Sequence, residues 1–444
     1  MQSLDIPGPL GHRPKRIRAA SVRQFATAWV LIEETVRRLV DFLLALVLIV
    51  TLSPLLLLRS LYAKAYIGQV FERTPAIGIF RTPFARLSFA GPPLGRSLAL
   101  LVNVLKGDMS FIGPRPLSPP EAISVPVGES ERFWIRPGLV SAYWLRKGIG
   151  VAYEPEYQID RDFFYTESLT GDLGLMARVL PSAVLGNRDA TSTAPVLRFF
   201  GIDIANTSMQ ESLDWIVNRI RLTQRSQICF VNPDCLNIAY NNLEYLDLLK
   251  RADRVLPDGI GIHLAGRMKG TPMLENVNGT DLFPRLCERA ADERLALYLL
   301  GARPSVAAAV AEAMRAKHPH LEIAGTHHGY FDSRHTPTIV NDINTSGAHI
   351  LLVAMGAPRQ DLWLAAHREE LRTPILMGVG GLFDFYSGNI RRAPMWMREI
   401  GLEWVWRLLQ EPGRMWRRYL IGNPIFLYRV WKESNRDELS GRSG

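Results

Sequence analysis

Five short apolar runs recur through the C-terminal half of the chain: 226–231 (SQICFV), 295–300 (LALYLL), 321–326 (LEIAGT), 349–355 (HILLVAM) and 374–379 (PILMGV). Most are followed by Gly, Pro or Asn and then by helix-period patterns such as 305–318 and 358–371. That alternation predicts an α/β domain, a mostly parallel sheet with helices on both faces, and functional residues at strand C-terminal ends. Five corners stand at such ends: Asn232-Pro-Asp234, Pro257-Asp-Gly-Ile-Gly261, Asn278-Gly-Thr-Asp281, Gly356-Ala-Pro-Arg-Gln360 and Gly378-Val-Gly-Gly-Leu-Phe-Asp384. Any one of them could be a turn, with Asp bonding its own backbone and Gly supplying positive φ. There is no P-loop lysine motif, and Gly378–Gly381 is too compact for a dinucleotide fingerprint. Five corners on one sheet are nonetheless more than turns require.

With 444 residues the chain has room for two or three domains. Its 47% hydrophobic and 21% charged content excludes a mostly disordered chain, and a mean hydropathy near zero excludes a multi-span transporter. The three cysteines, Cys229, Cys235 and Cys287, form no CxxC or Cys/His cluster. Neither a disulfide framework nor a zinc site is indicated, which fits a reducing cytosol. The net charge of +9 is concentrated: residues 1–38 carry seven Lys/Arg against three Asp/Glu, and residues 391–432 carry nine against three. The remainder is near neutral, which argues against a nucleic-acid footprint and for two local sites that attract anions.

Residues 39–58 hold sixteen apolar residues in twenty. As a helix they would reach about 30 Å, one hydrocarbon thickness. The run starts too late, and lacks the small-residue cleavage site, for a signal peptide. Arg37 and Arg38 precede it while Arg59 and Lys64 follow, so the positive-inside rule selects no orientation. Ser53-Pro54 inside the run predicts a bend, because proline removes a backbone donor and clashes with the preceding turn. A broken helix with cationic ends suggests a re-entrant hairpin in one leaflet; a plain spanning helix is the alternative.

Further on come Val102-Asn-Val-Leu-Lys-Gly-Asp-Met-Ser-Phe-Ile-Gly-Pro-Arg-Pro116 and Arg136-Pro-Gly138. These motifs resemble the bacterial sugar transferase family, the monotopic polyprenyl-phosphate phosphoglycosyl transferases, over roughly residues 35–185. The family's chemistry uses an Asp-Glu pair soon after a Lys-Phe-Arg-Thr stretch. Here Phe80-Arg81-Thr82 is followed by Pro83, Phe84, Ala85 and Arg86, and Glu72 is the one acidic residue between Tyr62 and Gly107. A carboxylate nucleophile with an acidic neighbour to hold a metal cannot be assembled there. The resemblance thus implies a shortened, inactive, membrane-anchored α-rich domain. Lys106, Arg115 and Arg136 are candidates to hold a polyprenyl phosphate, guanidinium forks being suited to phosphate oxygens; structural ion pairs are the alternative. A DxD pattern occurs only as Asp160-Arg-Asp162, in this first domain, and reads as a chance match.

The polar, aperiodic stretch from Gly186 to Pro195 marks a domain boundary. Beyond it, the five corners together with Arg391-Arg-Ala-Pro394, Gly401-Leu-Glu-Trp-Val-Trp-Arg407 and Glu411-Pro-Gly-Arg-Met-Trp-Arg-Arg-Tyr419 closely resemble the WecG/TagA/CpsF glycosyltransferase family across 197–432. The resemblance implies a Rossmann-like core with a C-terminal helical appendage. It also implies an inverting, metal-independent transfer from a UDP-sugar to an undecaprenyl-diphosphate-linked acceptor. Asp258 matches the family's general base, Asn232 and Thr280 (with Asp281 beside it) positions near the sugars, and Gln360 a position near the nucleotide. Arg407, Arg414 and Arg417 match appendage arginines that neutralise the leaving diphosphate. On one helix they would share a face, but Pro412 interrupts it, so spacing supports only the last two. A departure stands at Glu275-Asn276-Val277, where the family has arginine in the middle. Five of the ten tryptophans, Trp396, Trp404, Trp406, Trp416 and Trp431, lie among these arginines. That is the composition of an interfacial membrane helix, or of rings packed on a core.

The expected organisation is a basic segment 1–38, a membrane-anchored sugar transferase-like domain 39–185, a linker 186–196, a glycosyltransferase core 197–390 and an appendage 391–432. The expected function is a hexose or N-acetylhexosamine transferase of surface or exopolysaccharide synthesis at the cytoplasmic face of the bacterial inner membrane. It would use no metal or other cofactor, contact membrane lipid and other assembly enzymes, and bind no nucleic acid. Alternatives are a bifunctional enzyme that also transfers a phosphosugar, and an inactive scaffold.

Overall fold

The computed structural model describes residues 17–92, 95–166, 168–185 and 194–441. Residues 1–16 of the basic segment and 186–193 of the expected linker lie outside the described residues. The chain forms two compact units. One contains the described residues up to Ala142 together with Tyr157–Met176; the other contains Tyr143–Glu156 and the described residues from Ala177 onward. The segment Tyr143–Glu156, inside the span assigned by sequence to the first domain, packs with the second unit.

In the first unit a helix Ile17–Thr51 is followed by a helix Ser53–Ile67, with Pro54 in the first turn of the second. Proline is tolerated there because that N–H has no intrahelical partner. Over Glu33–Thr51 and Ser53–Ile67 the pair bends by 70°. Among the described residues no single helix is long and apolar enough to cross a membrane, whereas this bent pair is so by length and composition. Leu39, Leu43, Val47, Val50, Leu57 and Leu58 are exposed along it.

An antiparallel hairpin follows, β1 (Phe71–Ile77) with β2 (Pro83–Phe89), and then a parallel pair, β3 (Ser110–Ile112) with β4 (Gly138–Val140). The sequence signature serves this fold. Asn103 accepts from Leu87 N at 3.0 Å and donates to Ala85 O and Asp108 Oδ2. A Cβ on Gly113 would lie 2.2 Å from Arg136 O, and one on Gly138 would lie 2.2 Å from Gly113 N. The IGP and RPG motifs therefore require glycine because their backbones touch. Asp41, buried on the long helix, accepts from Ser110 Oγ at 2.7 Å and Phe111 N at 3.1 Å. Asp160 is buried and pairs with Arg132 at 3.2 Å.

The second unit opens with a hairpin, β5 (Val196–Phe199) and β6 (Ile202–Ala205). Six parallel strands follow: β7 (Ser226–Val231), β8 (Arg254–Pro257), β9 (Ala296–Gly301), β10 (Glu322–His327), β11 (Ile350–Ala354) and β12 (Ile375–Gly378). Their order is β10-β9-β11-β12-β7-β8. Alternate side chains feed opposite cores. Ile228, Phe230, Leu297, Leu299, Ile350 and Leu352 pack with helices Met209–Arg221, Gly279–Glu293 and Val306–Lys317. On the other face Cys229 and Val231 meet helices Pro233–Asn241 and Ile260–Met268, and Leu351 and Val353 meet helices Thr336–Thr345 and Arg359–Ala366. Burial on both faces explains why β9, β11 and β12 read as unbroken apolar runs, whereas β10 at the sheet edge is only partly buried. All five runs are strands, within a residue or so of the expected bounds. β8 went unread: four residues ending in proline at the sheet edge carry little periodic signal.

The appendage runs as helices Glu403–Gln410 and Pro412–Trp416, a π-helical turn Arg417–Gly422, and a helix Asn423–Gly441. Phe426 and Val430 of the last helix are buried in the core beside β7 and β8.

Candidate active site

Asp258 is the first residue after β8, and Asn232 the first after β7. The two strands are hydrogen-bonded neighbours at the sheet edge, so their C-terminal corners meet. Asn232 caps helix Pro233–Asn241, its Oδ1 accepting from Asp234 N and Cys235 N, both at 3.1 Å. Its Nδ2 points at Asp258 Oδ2, 3.4 Å away. Gly261 lets the corners close, because a Cβ there would lie 2.2 Å from Pro233 Cγ. One side chain thus does the local work of a cap and also faces the carboxylate.

A cavity of about 120 Å³ surrounds Asp258. Besides Asn232 it is lined by Thr280, Arg398, Glu403, Arg407 and Arg418, with Trp404 and Tyr419 as aromatic walls. Burial raises the Asp258 pKa, while Arg418, the Asn232 amide and Arg407 oppose the rise. Burial likewise raises Glu403, against the pull of Arg392. A carboxylate raised in this way is a stronger base while still held among cations, an arrangement suited to accepting a proton next to developing negative charge.

The sequence-derived residues divide among several places. Asp258, Asn232, Thr280 and Arg407 share this cavity. Arg407 stacks on Phe385, 4.9 Å from its ring centre. Asp281 is buried and anchors the wall, pairing with Arg392 at 2.6 Å and Arg398 at 3.2 Å. Burial pushes its pKa up, but Arg392, the Asn278 amide and Arg398 outweigh that and hold it below the usual carboxylate range. Gln360 is buried, and its Oε1 accepts from Gly356 N at 3.1 Å and Gly380 N at 2.8 Å. It ties the β11 and β12 corners together. Both glycines line a second, larger cleft of about 920 Å³ at the ends of β9, β11 and β12, with Arg303, Arg359, Asp384 and Arg414. That volume lies in the range of about 300–1,000 Å³ usual for small-molecule sites.

Arg414 pairs with Glu411 at 2.9 Å, and Arg417 lies over the Trp416 ring at 5.3 Å; neither lines the Asp258 cavity. Arg418 lines it instead, its Nε 3.5 Å from Asp234 Oδ2. The break at Glu411 and the π-helical turn shift the helical phase, so a count from Arg407 does not reach the arginine that lines this cavity. Arg398, Glu403 and Arg418 were thus missed as site residues, although all three fall within the Arg/Trp-rich stretch. At the Glu275-Asn276-Val277 departure, Asn276 Oδ1 accepts from Gly259 N at 2.7 Å.

In the first unit Lys106, Arg115 and Arg136 do not line one cavity. Lys106 is exposed at a helix end, Arg115 pairs with Glu121 at 2.9 Å, and Arg136 pairs with Glu34 at 3.1 Å. Arg136 alone of the three lines a cavity of about 430 Å³ with Arg37, Arg38, Asp41 and Trp134.

Comparison with known proteins adds the family. Residues 97–186 match the bacterial sugar transferase family, a narrower span than the motifs suggested. A *Bacillus subtilis* (strain 168) N-acetylglucosaminyldiphosphoundecaprenol N-acetyl-beta-D-mannosaminyltransferase is 32% identical over 206 residues, 46% of this chain and 79% of that protein. The *Staphylococcus aureus* (strain MW2) protein of the same name is 29% identical over 250 residues, 56% of this chain and 96% of that protein. Residues 197–439, which hold Asp258, the larger cleft and the appendage, match the glycosyl transferase WecG/TagA/CpsF family, and the chain belongs to it.

Proposed function

We propose that the second unit transfers a hexose or N-acetylhexosamine from a UDP-sugar to a polyprenyl-diphosphate-linked sugar, with inversion and without a metal ion. The observation that carries this reading is Asp258 at the end of β8, facing Asn232 and enclosed with Arg407 and Arg418. An inverting transfer needs one carboxylate to take the acceptor hydroxyl's proton as that oxygen attacks the anomeric carbon opposite the leaving group. Asp258 fills that role. The nucleotide occupies the larger cleft, where Arg303 and Arg359 suit a diphosphate. Arg407 and Arg418 neutralise charge as the donor bond breaks. The relatives named above support a diphosphoundecaprenol-linked acceptor.

The protein works at the cytoplasmic face of the inner membrane, in surface polysaccharide assembly. The bent helix pair enters one leaflet, and the first unit anchors without phosphoglycosyl transfer, its signature residues being used in its own packing. In the second unit Trp416, Leu420, Ile421, Ile425, Tyr428 and Trp431 are exposed beside arginines, a surface suited to lipid headgroups. Of the other tryptophans, Trp404 packs on Tyr419 at 5.9 Å and Trp406 donates to Arg391 O at 3.0 Å.

The test is a panel of radiolabelled UDP-N-acetylmannosamine, its uronic acid and UDP-glucose, supplied to membranes that contain lipid-linked acceptors. Wild type should label lipid with one donor, and Asp258→Asn should lower kcat by about 10²–10⁴-fold. Transfer unchanged in that variant removes the base assignment; transfer lost on chelation and restored by manganese removes the metal-free reading.

A further inference from the structure

The wall of the Asp258 cavity includes residues outside the span matched to the glycosyl transferase family. Ile149 and Val151, on the segment Tyr143–Glu156, line it. That segment grips the loop 275–281 at two points and the helix Gly279–Glu293 at a third. Gly150 O accepts from Asn276 N at 2.8 Å. The Tyr153 hydroxyl donates to Asn276 O at 2.7 Å and lies 3.1 Å from Asp281 Oδ2. Glu154 pairs with Arg285, whose guanidinium stands 4.8 Å from the Tyr153 ring centre. The main chain of Asn276 is therefore held at both its N–H and its C=O. Its side chain in turn holds Gly259 N, and Gly259 directly follows Asp258 with φ +95°. Gly150 is itself constrained, since a Cβ there would approach Asn276 N to 3.0 Å and Glu275 Cα to 3.3 Å.

We propose that Tyr153 is a positioning residue for the transfer reaction. By fixing the Asn276 backbone, and through the Asn276 side chain the Gly259 amide, it sets the direction of the Asp258 carboxylate. The segment Tyr143–Glu156 is thus a wall of the catalytic cavity supplied in cis from outside the family core. The inference rests on Asp258 being the base. It also gives Asn276 a task that a long arginine could not perform, since Asn276 brings a short amide oxygen to the Gly259 N–H.

Tyr153→Phe removes one hydroxyl and leaves the ring packing in place. In the full-length protein in detergent two quantities are measured: amide hydrogen exchange in a peptide spanning 255–262, and kcat and KM for donor and acceptor. Faster exchange at the Gly259 corner is expected, with kcat lowered about tenfold and both KM values within about twofold of wild type, as for a misaligned base. Gly150→Ala, which presses on the same loop from the other side, should give the same pattern. Unchanged exchange at the corner overturns the inference whether or not transfer is detected. So does a fall in kcat accompanied by equal loss of protection in β7 and β12, which would mean a general loss of structure. Failure of the wild type to transfer any sugar overturns only the reaction assigned to Asp258.

Discussion

Asp361 makes the stability of the second unit depend on pH in a direction opposite to that of an ordinary salt-bridged carboxylate. It has no exposed surface, and its Oδ2 accepts from the Tyr245 hydroxyl at 2.9 Å. Burial pushes its pKa up to about 7; the Tyr245 hydroxyl, the Gln360 amide and the Cys229 thiol recover only part of the rise. In the unfolded chain an aspartate titrates near pH 3.9. Between about pH 4 and pH 7 the folded protein keeps a proton that the unfolded chain has released, so stability falls as pH rises, by about 1.4 kcal/mol per unit. The loss is absent below about pH 4 and complete above about pH 7, where it amounts to about 4 kcal/mol. Asp361→Asn retains an oxygen for Tyr245 and cannot ionise. Between about pH 5 and pH 8 the variant should gain about 3 kcal/mol on wild type, which at about 2–4 °C per kcal/mol is about 6–12 °C in melting temperature. Differential scanning of both proteins across that range is the assay. Melting profiles that run parallel from pH 5 to pH 8 would refute the reasoning.

Three further outcomes are expected. In detergent, Arg418→Ala should lower kcat at least about tenfold more than Arg417→Ala, because only Arg418 lines the Asp258 cavity; equal losses in steady-state assays would contradict that placement. Gly378→Ala would put a Cβ 2.2 Å from Asp361 Oδ1 and should destabilise by about 1–3 kcal/mol, measured by denaturant unfolding. Ile421→Glu with Trp431→Glu should weaken association of the protein with anionic vesicles in flotation assays while leaving its melting temperature within about 2 °C of wild type, both side chains being exposed.

What the sequence made legible follows from how locally each feature is encoded. A strand buried on both faces must be apolar nearly throughout, so β7, β9, β11 and β12 could be read from their apolar runs, while β10, at the sheet edge and only partly buried, was read from the run 321–326. Corners at strand and helix ends need Asn, Asp and Gly for caps and positive φ, which is why the corners that hold Asn232 and Asp258 could be named although β8 itself went unread; the roles given to the two residues came from the family resemblance. Arg418 depends instead on helical phase across a break and a π-turn, and residue spacing carries no record of either. Asp281 reads as a ligand-facing acid beside a glycine corner, and becomes an anchor only because Arg392 and Arg398, more than a hundred residues on, fold back onto it.

Tyr153 marks the far end of this progression. Nothing around it signals catalysis, and the family match does not begin until residue 197. Its relevance arises from one hydroxyl placed between Asn276 O and Asp281 Oδ2, 123 and 128 residues away. Family resemblance can single out Asp258, which lies within the shared core. It cannot single out cavity-lining residues such as Ile149 and Val151, which come from a neighbouring segment. The proposed clasp on Asn276 would give the first part of the chain two separable contributions to transfer: the proposed lipid contact of the bent apolar helix pair, and a short segment that lines the cavity. Each can be removed by substitutions that leave the other intact.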